Sequence, residues 1–186
     1  MHLLETYALL SGCLIGQCHI QEEEIALPSG PYITFHGFNP KGSGRQYKNW
    51  QTIIDNLIAN TLFQYKIIQV GSANDQKYQN IDNSYLGKTS YNSLAYLIKH
   101  AQLHLGFDSL PVHLASHYDK KIVAIYAHYK NNTSPFFSTS TNTILLEPDH
   151  TLLKPVFANE DPYDQINTID HQIIYKAILS LLEIHV

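Results

Sequence analysis

The segment around Asp108 and Ser109 has the residue types of an anion-binding site. An apolar run ends at Phe107, Asp108 and Ser109 follow, and a helical pattern then starts with Pro111 in its first turn. Proline suits that turn because the amide hydrogen that it lacks would have no partner there. The unpaired amides and the dipole of such a helix attract anions, and a diphosphate fits this kind of site. The alternative is that Asp108 or Ser109 only caps the helix, and spacing alone favours this alternative.

The loop over residues 37–50 is a second candidate, because it carries three cations directly after another apolar run. Lys41, Arg45 and Lys48 could face the same edge of a sheet and neutralise a departing nucleotide diphosphate. A solvated basic loop explains the same composition equally well. The glycines of the loop do not form the Gly-x-x-x-x-Gly-Lys-Ser/Thr phosphate-binding motif.

A third candidate is the turn from Gly71 to Asp75, which follows the apolar run over residues 65–70. A carboxylate at this position could accept hydrogen bonds from the hydroxyls of a ribose. The alternative, a helix cap formed by Asn74 or Asp75, explains the same residues at least as well.

The histidines and the remaining motifs give weaker signals. His36, His104, His113 and His117 do not have the spacing of metal ligands, and packed or surface histidines are commoner than ligands. We therefore expect no metal and no cofactor. The Gly-x-Ser-x-Gly and His-Glu-x-x-His motifs of hydrolases do not occur in the sequence.

The composition is that of a globular protein without a nucleic-acid partner. The 186 residues are 44% hydrophobic and 15% charged, with a net charge of -4 and no dense basic stripe.

Two cysteines, Cys13 and Cys18, fit buried thiols of a reducing compartment better than a disulfide. No apolar stretch reaches the ~20 residues of a transmembrane helix, and no secretion signal is expected. We expect the protein in the cytoplasm, where it could lie at the inner face of the membrane.

Apolar runs alternate with helical patterns along most of the chain. Strands are predicted over residues 32–36, 65–70, 103–107, 121–127 and 143–146. Helices are predicted over residues 2–10, 47–62, 75–81 and 166–184, with two more that start at Thr89-Ser90 and at Asp108-Ser109. Residues 131–143 are polar and are expected to form a mobile loop.

This alternation predicts an α/β fold with a doubly wound, Rossmann-like parallel sheet and helices on both faces. One domain is expected over residues 1–186. It has a lead-in helix and loop over 1–30, a core over 31–160 and a C-terminal helix over 161–186. Ligands of such sheets bind beyond the carboxyl ends of the strands, which is where the three candidate segments lie.

Six segments together, in their order along the chain, resemble glycosyltransferase family 9, the lipopolysaccharide heptosyltransferase-like enzymes. The segment most typical of that family is Asp-Ser-Gly-Pro-x-His-Leu-Ala, which resembles Asp-Ser-Leu-Pro-Val-His-Leu-Ala at residues 108–115. The others are residues 2–5, residues 32–36 with Lys48-Asn49-Trp50, residues 65–71, residues 86–95 and residues 121–126. The resemblance covers almost the whole chain and implies the C-terminal, nucleotide-sugar-binding half of a GT-B fold.

The resemblance implies inverting, metal-independent transfer of a sugar from a nucleotide-diphosphate sugar, which is a substrate and not a cofactor. It assigns Lys48, or Arg45 in its place, to the phosphates and Asp108 to the donor sugar or to ordering its loop. The donor and phosphate residues are Lys48, Arg45, Asp108, Ser109, Leu110, Val112 and His113. The nucleoside residues are Gly71, Asp75, Thr89 and Ser90.

Two departures from the family pattern are the reason to keep an alternative function open. Leu110 replaces a glycine that lets the backbone approach a phosphate closely. The family's N-terminal domain, which supplies the acceptor site and the catalytic base, has no counterpart here, so the catalytic residues stay unassigned. We therefore expect an N-terminal acceptor-binding domain or subunit as a partner. The alternative is a non-catalytic module that binds a nucleotide or a protein, with a homo-oligomer as one such assembly.

Overall fold

The structure is a computed structural model that describes residues 1–17, 19–37, 46–127, 130–149 and 165–185. Six strands form one sheet in the order β3-β2-β1-β4-β5-β6, and every neighbouring pair is parallel. The strands are β1 Tyr32–His36, β2 Lys66–Gln69, β3 Asn83–Ser84, β4 Leu103–Phe107, β5 Lys121–Ile125 and β6 Thr143–Leu146. The chain thus winds outward from β1 in one direction and from β4 in the other. The predicted doubly wound α/β sheet is confirmed.

Helices cover both faces of the sheet. The helices are α1 Leu3–Ser11, α2 Trp50–Ala59, α3 Tyr91–Lys99, α4 Leu110–His117, α5 Lys130–Thr133 and α6 His171–Leu181, with a 3₁₀ turn Gln165–Thr168 before α6. Helices α2 and α6 pack on one face, together with Phe35 and Leu105 of the central strands. Helices α3 and α4 pack on the other face, together with Tyr32 and Ala124. Since side chains alternate along a strand, His36, His104 and Gly106 belong to this second face.

The helices that flank the sheet follow their apolar pattern. Trp50, Ile53, Ile54 and Leu57 of α2 recur at helical spacing, and all four are fully buried. Helix α3 is capped by Ser90, whose hydroxyl accepts the Ser93 amide, while the Ser93 hydroxyl accepts the Ser90 amide. This reciprocal cap satisfies two of the donors that a helix start leaves unpaired.

The helix predicted over residues 75–81 is wrong. The backbone there is bound by side chains of neighbouring elements, because Gln69 donates to the Gln76 carbonyl and accepts the Tyr78 amide. Gln51 accepts the Gln79 amide in the same way, and Asn80 takes a left-handed φ of 58°. These contacts replace the hydrogen bonds of a helix and lead the chain into the short strand β3.

The polar loop and the tail helix also differ from the prediction. The first residues of the loop predicted over residues 131–143 belong to the short helix α5. The mobility of this loop stays a prediction. The tail helix starts at residue 171 because Asp170 caps it by accepting the Gln172 amide.

Helix α1 lies apart from both apolar cores. It is closed at its start by a capping box of His2 and Glu5 and at its end by Gly12 in the left-handed conformation. None of its residues is buried, and Leu9 and Leu10 are more than two thirds exposed. No helix in the described part of the chain is long and apolar enough to cross a membrane.

We predict that Leu57→Ala lowers the free energy of unfolding by about 2–5 kcal/mol, because it removes a fully buried side chain between α2 and the sheet. The matched control is Leu62→Ala three residues after α2, where the leucine is 54% exposed. That change is expected to stay within about 0.5 kcal/mol. Urea unfolding followed by circular dichroism measures both, and equal losses would contradict the assignment of this core.

Candidate functional site

A cavity of about 700 Å³ opens at the carboxyl ends of β1, β2 and β4, between the starts of α3 and α4. This is the switch point of the sheet, where the chain changes its winding direction and ligands of doubly wound folds bind. Six predicted site residues line it: Gly71, Asp75, Thr89, Ser90, Ser109 and Leu110. His36, which the sequence predicts to be a packed or surface histidine, also lines it.

A hydrogen-bonded chain joins Ser109, His36 and Asp75 at the base of this cavity. The Ser109 hydroxyl lies 3.0 Å from His36 Nδ1, and His36 Nε2 lies 3.0 Å from Asp75 Oδ2. The Ser109 hydroxyl is also placed to donate to the Phe107 carbonyl at 2.9 Å. Three segments that are distant in sequence therefore meet through one imidazole ring, which stacks against the Phe107 ring at 4.8 Å.

The Asp75 carboxylate is held on every side. Its side chain is only 2% exposed, Ser72 donates its amide to Oδ2 and its hydroxyl to Oδ1, and His36 contacts Oδ2. Burial alone would raise the pKa of Asp75, but the hydrogen bonds from His36 and Ser72 outweigh it and lower the pKa. Asp75 is therefore ionised at neutral pH. Its predicted contact with a ribose stays a prediction, and both of its oxygens already accept protein donors.

Two glycines leave the room that His36 and Asp75 occupy. Gly71 has a φ of 147°, and a Cβ there would collide with the Asp75 carboxylate and lie 3.1 Å from His36 Cδ2. A Cβ on Gly106 would lie 2.9 Å from the His36 carbonyl oxygen and 3.0 Å from His104 Nε2. Glycine at both positions is what allows the imidazole to sit at the carboxyl edge of the sheet.

His104 lies directly below this arrangement and carries no charge. Its Nδ1 is 3.0 Å from the Thr34 hydroxyl, and its buried Nε2 has no hydrogen-bond partner in the described part of the chain. Burial lowers the pKa of His104 to about 3, and the neighbouring His36 lowers it further in the same direction. A neutral imidazole under the cavity does not repel a charge on His36.

The start of α4 differs from an ordinary cap. Ser109 occupies the cap position, because its carbonyl accepts the Val112 amide at 3.1 Å, but its hydroxyl makes no capping bond. The hydroxyl is directed to Phe107 and His36 instead. Leu110 stands 44% exposed at the rim, whereas Val112 is fully buried in the core and lies outside the cavity lining.

Asp108 and His113 face away from the cavity. Asp108 accepts the Thr133 hydroxyl at 3.1 Å, and His113 Nε2 lies 3.8 Å from its other oxygen. His113 lines a neighbouring, largely apolar cavity of about 500 Å³ between α1, α4 and Phe137. The Asp108 carboxylate thus ties the start of α4 to α5.

Neither of the two predicted cations, Lys48 and Arg45, is found at the cavity among the described residues. Lys48 is exposed, its amide donates to the Asn167 side chain at 2.7 Å, and it is absent from the cavity lining. Arg45 lies outside the described residues. Among the described residues, no group of three or more His, Cys, Asp or Glu side chains could hold a metal ion.

Comparison with known proteins points to one family. The family model that matches residues 34–165 is described as glycosyltransferase family 9 (heptosyltransferase). No curated protein sequence matches the chain.

Solved structures with the same fold come from Veillonella parvula and E. coli. A glycosyltransferase of family 9 from Veillonella parvula matches with a TM-score of 0.67 and 16% identity, over 82% of this chain and 46% of its own. The ADP-heptose lipopolysaccharide heptosyltransferase II of E. coli matches with a TM-score of 0.63 and 16% identity, over 96% and 51%. The dodecameric, iron-containing heptosyltransferase TibC of enterotoxigenic E. coli matches, in its complex with ADP-D-beta-D-heptose, with a TM-score of 0.62 and 16% identity, over 87% and 48%. The chain therefore spans about half the length of the structures that it matches.

We predict that Gly71→Ala destabilises the protein more than Gly30→Ala. Both glycines have a positive φ, but a Cβ on Gly30 meets nothing within 4 Å, whereas one on Gly71 displaces the buried Asp75 carboxylate. Gly30→Ala should cost about 1–3 kcal/mol from backbone strain alone. Gly71→Ala should cost about 1–3 kcal/mol more, because Asp75 and His36 lose their partners. Urea unfolding of the two variants measures the difference, and equal costs would contradict the described packing of Asp75.

Proposed function

The chain belongs to glycosyltransferase family 9 (heptosyltransferase), and from this premise we propose that it binds the diphosphate of a nucleotide-diphosphate sugar in the cavity between β1 and β4. The observation that carries the proposal is the position of the Ser109 hydroxyl and the start of α4 at the switch point of the sheet. A helix start presents amide donors and a partial positive charge to an anion.

The electrostatics of the cavity support an anionic ligand. Asp75 is the one carboxylate among the described residues that line it, and this group is buried and engaged by His36 and Ser72. Asp108 directs its carboxylate to Thr133 instead. No exposed carboxylate within the described lining would therefore repel a phosphate.

The size of the cavity agrees with a nucleotide. Its volume of about 700 Å³ lies within the range of ~300–1,000 Å³ that is usual for small-molecule sites. We assign the phosphates to the Ser109 hydroxyl and the Leu110 amide, because Pro111 has no amide hydrogen and the Val112 amide donates to the Ser109 carbonyl. The nucleoside is assigned to the opposite wall, which Gly71, Asp75, Thr89 and Ser90 line.

Lys48 and Arg45 stay our proposed cations for the phosphates. They belong to the connection between His36, which lines the cavity, and α2. The start of α4 and the Ser109 hydroxyl would neutralise the charge of a departing diphosphate only in part. A cation from this connection would complete the neutralisation.

The reaction proposed for the whole assembly is inverting, metal-independent sugar transfer, with the acceptor and the base supplied by a second domain or subunit. The unburied apolar helix α1 is a surface that such a partner, or a second copy of the chain, would cover. ADP-heptose is the first donor to test, because TibC was solved with it. The alternative is nucleotide binding without transfer, which the replacement of the family's glycine by Leu110 favours.

We predict that at least one ADP-, UDP- or GDP-sugar stabilises the protein, by about 2.7 kcal/mol when it is present at ~100 times its dissociation constant. Ser109→Ala should weaken binding about 10- to 100-fold, because a hydrogen bond to a charged phosphate is lost. Ser180→Ala, on the exposed side of α6, is the matched control and should bind like the wild type. Thermal shift and calorimetry measure this, and the proposal fails if none of the three nucleotide sugars binds.

We predict that Lys48→Ala weakens binding of the same nucleotide sugar about tenfold or more and makes it less dependent on salt. The control is Lys121→Ala, at the opposite end of the sheet, where the lysine pairs with Glu183 at 3.0 Å. Titrations at low and high salt measure the effect. If both lysine variants bind alike, Lys48 is not a phosphate ligand, and Arg45→Ala then tests the other cation.

A further inference from the structure

The wall of the cavity that is assigned to the nucleoside offers few hydrogen-bonding side chains. Gly71 has no side chain, and both oxygens of Asp75 already accept donors of the protein. The Ser90 hydroxyl accepts the Ser93 amide at 3.1 Å and donates its hydrogen to the Glu23 carboxylate at 2.6 Å. A nucleoside on this wall therefore needs contacts of another kind.

The lining of the cavity supplies apolar contacts instead. Its large apolar and aromatic side chains are those of Tyr91, Leu94, Phe107, Leu110 and Pro111. Leu94, Phe107 and Pro111 are buried, whereas Tyr91 is 76% and Leu110 44% exposed. The apolar surface that a ligand could newly cover thus lies at the mouth of the cavity. Tyr91 stands there at the start of α3, and Leu110 stands at the start of α4 beside the proposed phosphate site.

The backbone around Tyr91 is fixed from both sides. Ser90, the residue before it, is held by its reciprocal cap with Ser93 and by the Glu23 carboxylate. Asn92, the residue after it, accepts the Glu23 amide through its carbonyl at 3.3 Å. A tyrosine on a fixed backbone has only two side-chain torsions to restrict when a ligand covers its ring. Covering this ring therefore costs little conformational entropy.

We propose that Tyr91 is a specificity-determining residue whose ring stacks on the base of the nucleotide, while the start of α4 holds the diphosphate. The inference rests on the proposed function, because it needs a nucleotide in the cavity. Every base has a flat face that stacks on an aromatic side chain. A purine covers more of the tyrosine ring than a pyrimidine does. The contribution of Tyr91 should therefore be larger for ADP- and GDP-sugars than for UDP-sugars.

Calorimetry with ADP-glucose, GDP-glucose and UDP-glucose tests the inference on the wild type and on Tyr91 variants. Tyr91→Ala should weaken binding of the two purine probes about 10- to 100-fold, and binding of UDP-glucose less. Tyr91→Phe keeps the ring and should bind like the wild type. Tyr96→Ala is the matched control on the same helix, because the Tyr96 ring packs against His100 at 4.4 Å and lies outside the cavity lining. It should also bind like the wild type.

Tyr91→Leu is a second variant in case Tyr91→Ala does not fold. It keeps an apolar side chain without a flat face, and it should lose most of the same affinity. Wild-type affinity in a folded Tyr91→Ala or Tyr91→Leu would overturn the inference and leave the proposed function standing. Binding by Tyr91→Phe that is as weak as that of Tyr91→Ala would also overturn it, because the ring would then not be the contact. If none of the three probes binds to the wild type, the proposed function fails, and the inference fails with it.

Discussion

The pairing of β1 with β4 is the contact on which the candidate site depends. Its register places His36 opposite Gly106, so the last residue of one strand sits beside a residue without a side chain. A Cβ on Gly106 would crowd the His36 carbonyl and the buried His104. Because the chain winds away from this pair in both directions, the segments after β1, β2 and β4 converge on the gap above it.

The arrangement also solves an electrostatic problem. A site for an anion that contains a carboxylate would repel its ligand, and burying an unpaired carboxylate would cost several kcal/mol. Here Ser72 and His36 donate hydrogen bonds to the Asp75 carboxylate, and the Asp75 side chain is almost fully buried. Ser109 and Leu110, at the start of α4, line the cavity. The carboxylate thus organises the site without presenting its charge to a ligand.

The sequence predicted the central strands well because their side chains are buried on both faces. Near-continuous apolar runs give residues 32–36 and 103–107 the same bounds in the structure. The segment over residues 75–81 failed because its backbone is bound by Gln69 and Gln51, and no local pattern encodes such contacts. His36 was missed for a similar reason. A histidine at the end of a strand is ordinary, and only the β1–β4 register and the turn at Gly71 bring it to Ser109 and Asp75.

The described groups of the cavity suit binding better than proton abstraction. A general base needs an unengaged acceptor within hydrogen-bond reach of the acceptor hydroxyl. Asp75 has both oxygens occupied, and Asp108 faces α5. His36 Nε2 must donate to Asp75, and its Nδ1 is directed at Ser109. Among the described residues that line the cavity there is no other carboxylate or imidazole. If the chain takes part in the proposed sugar transfer, the base would therefore come from outside this lining, and the groups around Ser109 would serve the donor phosphates.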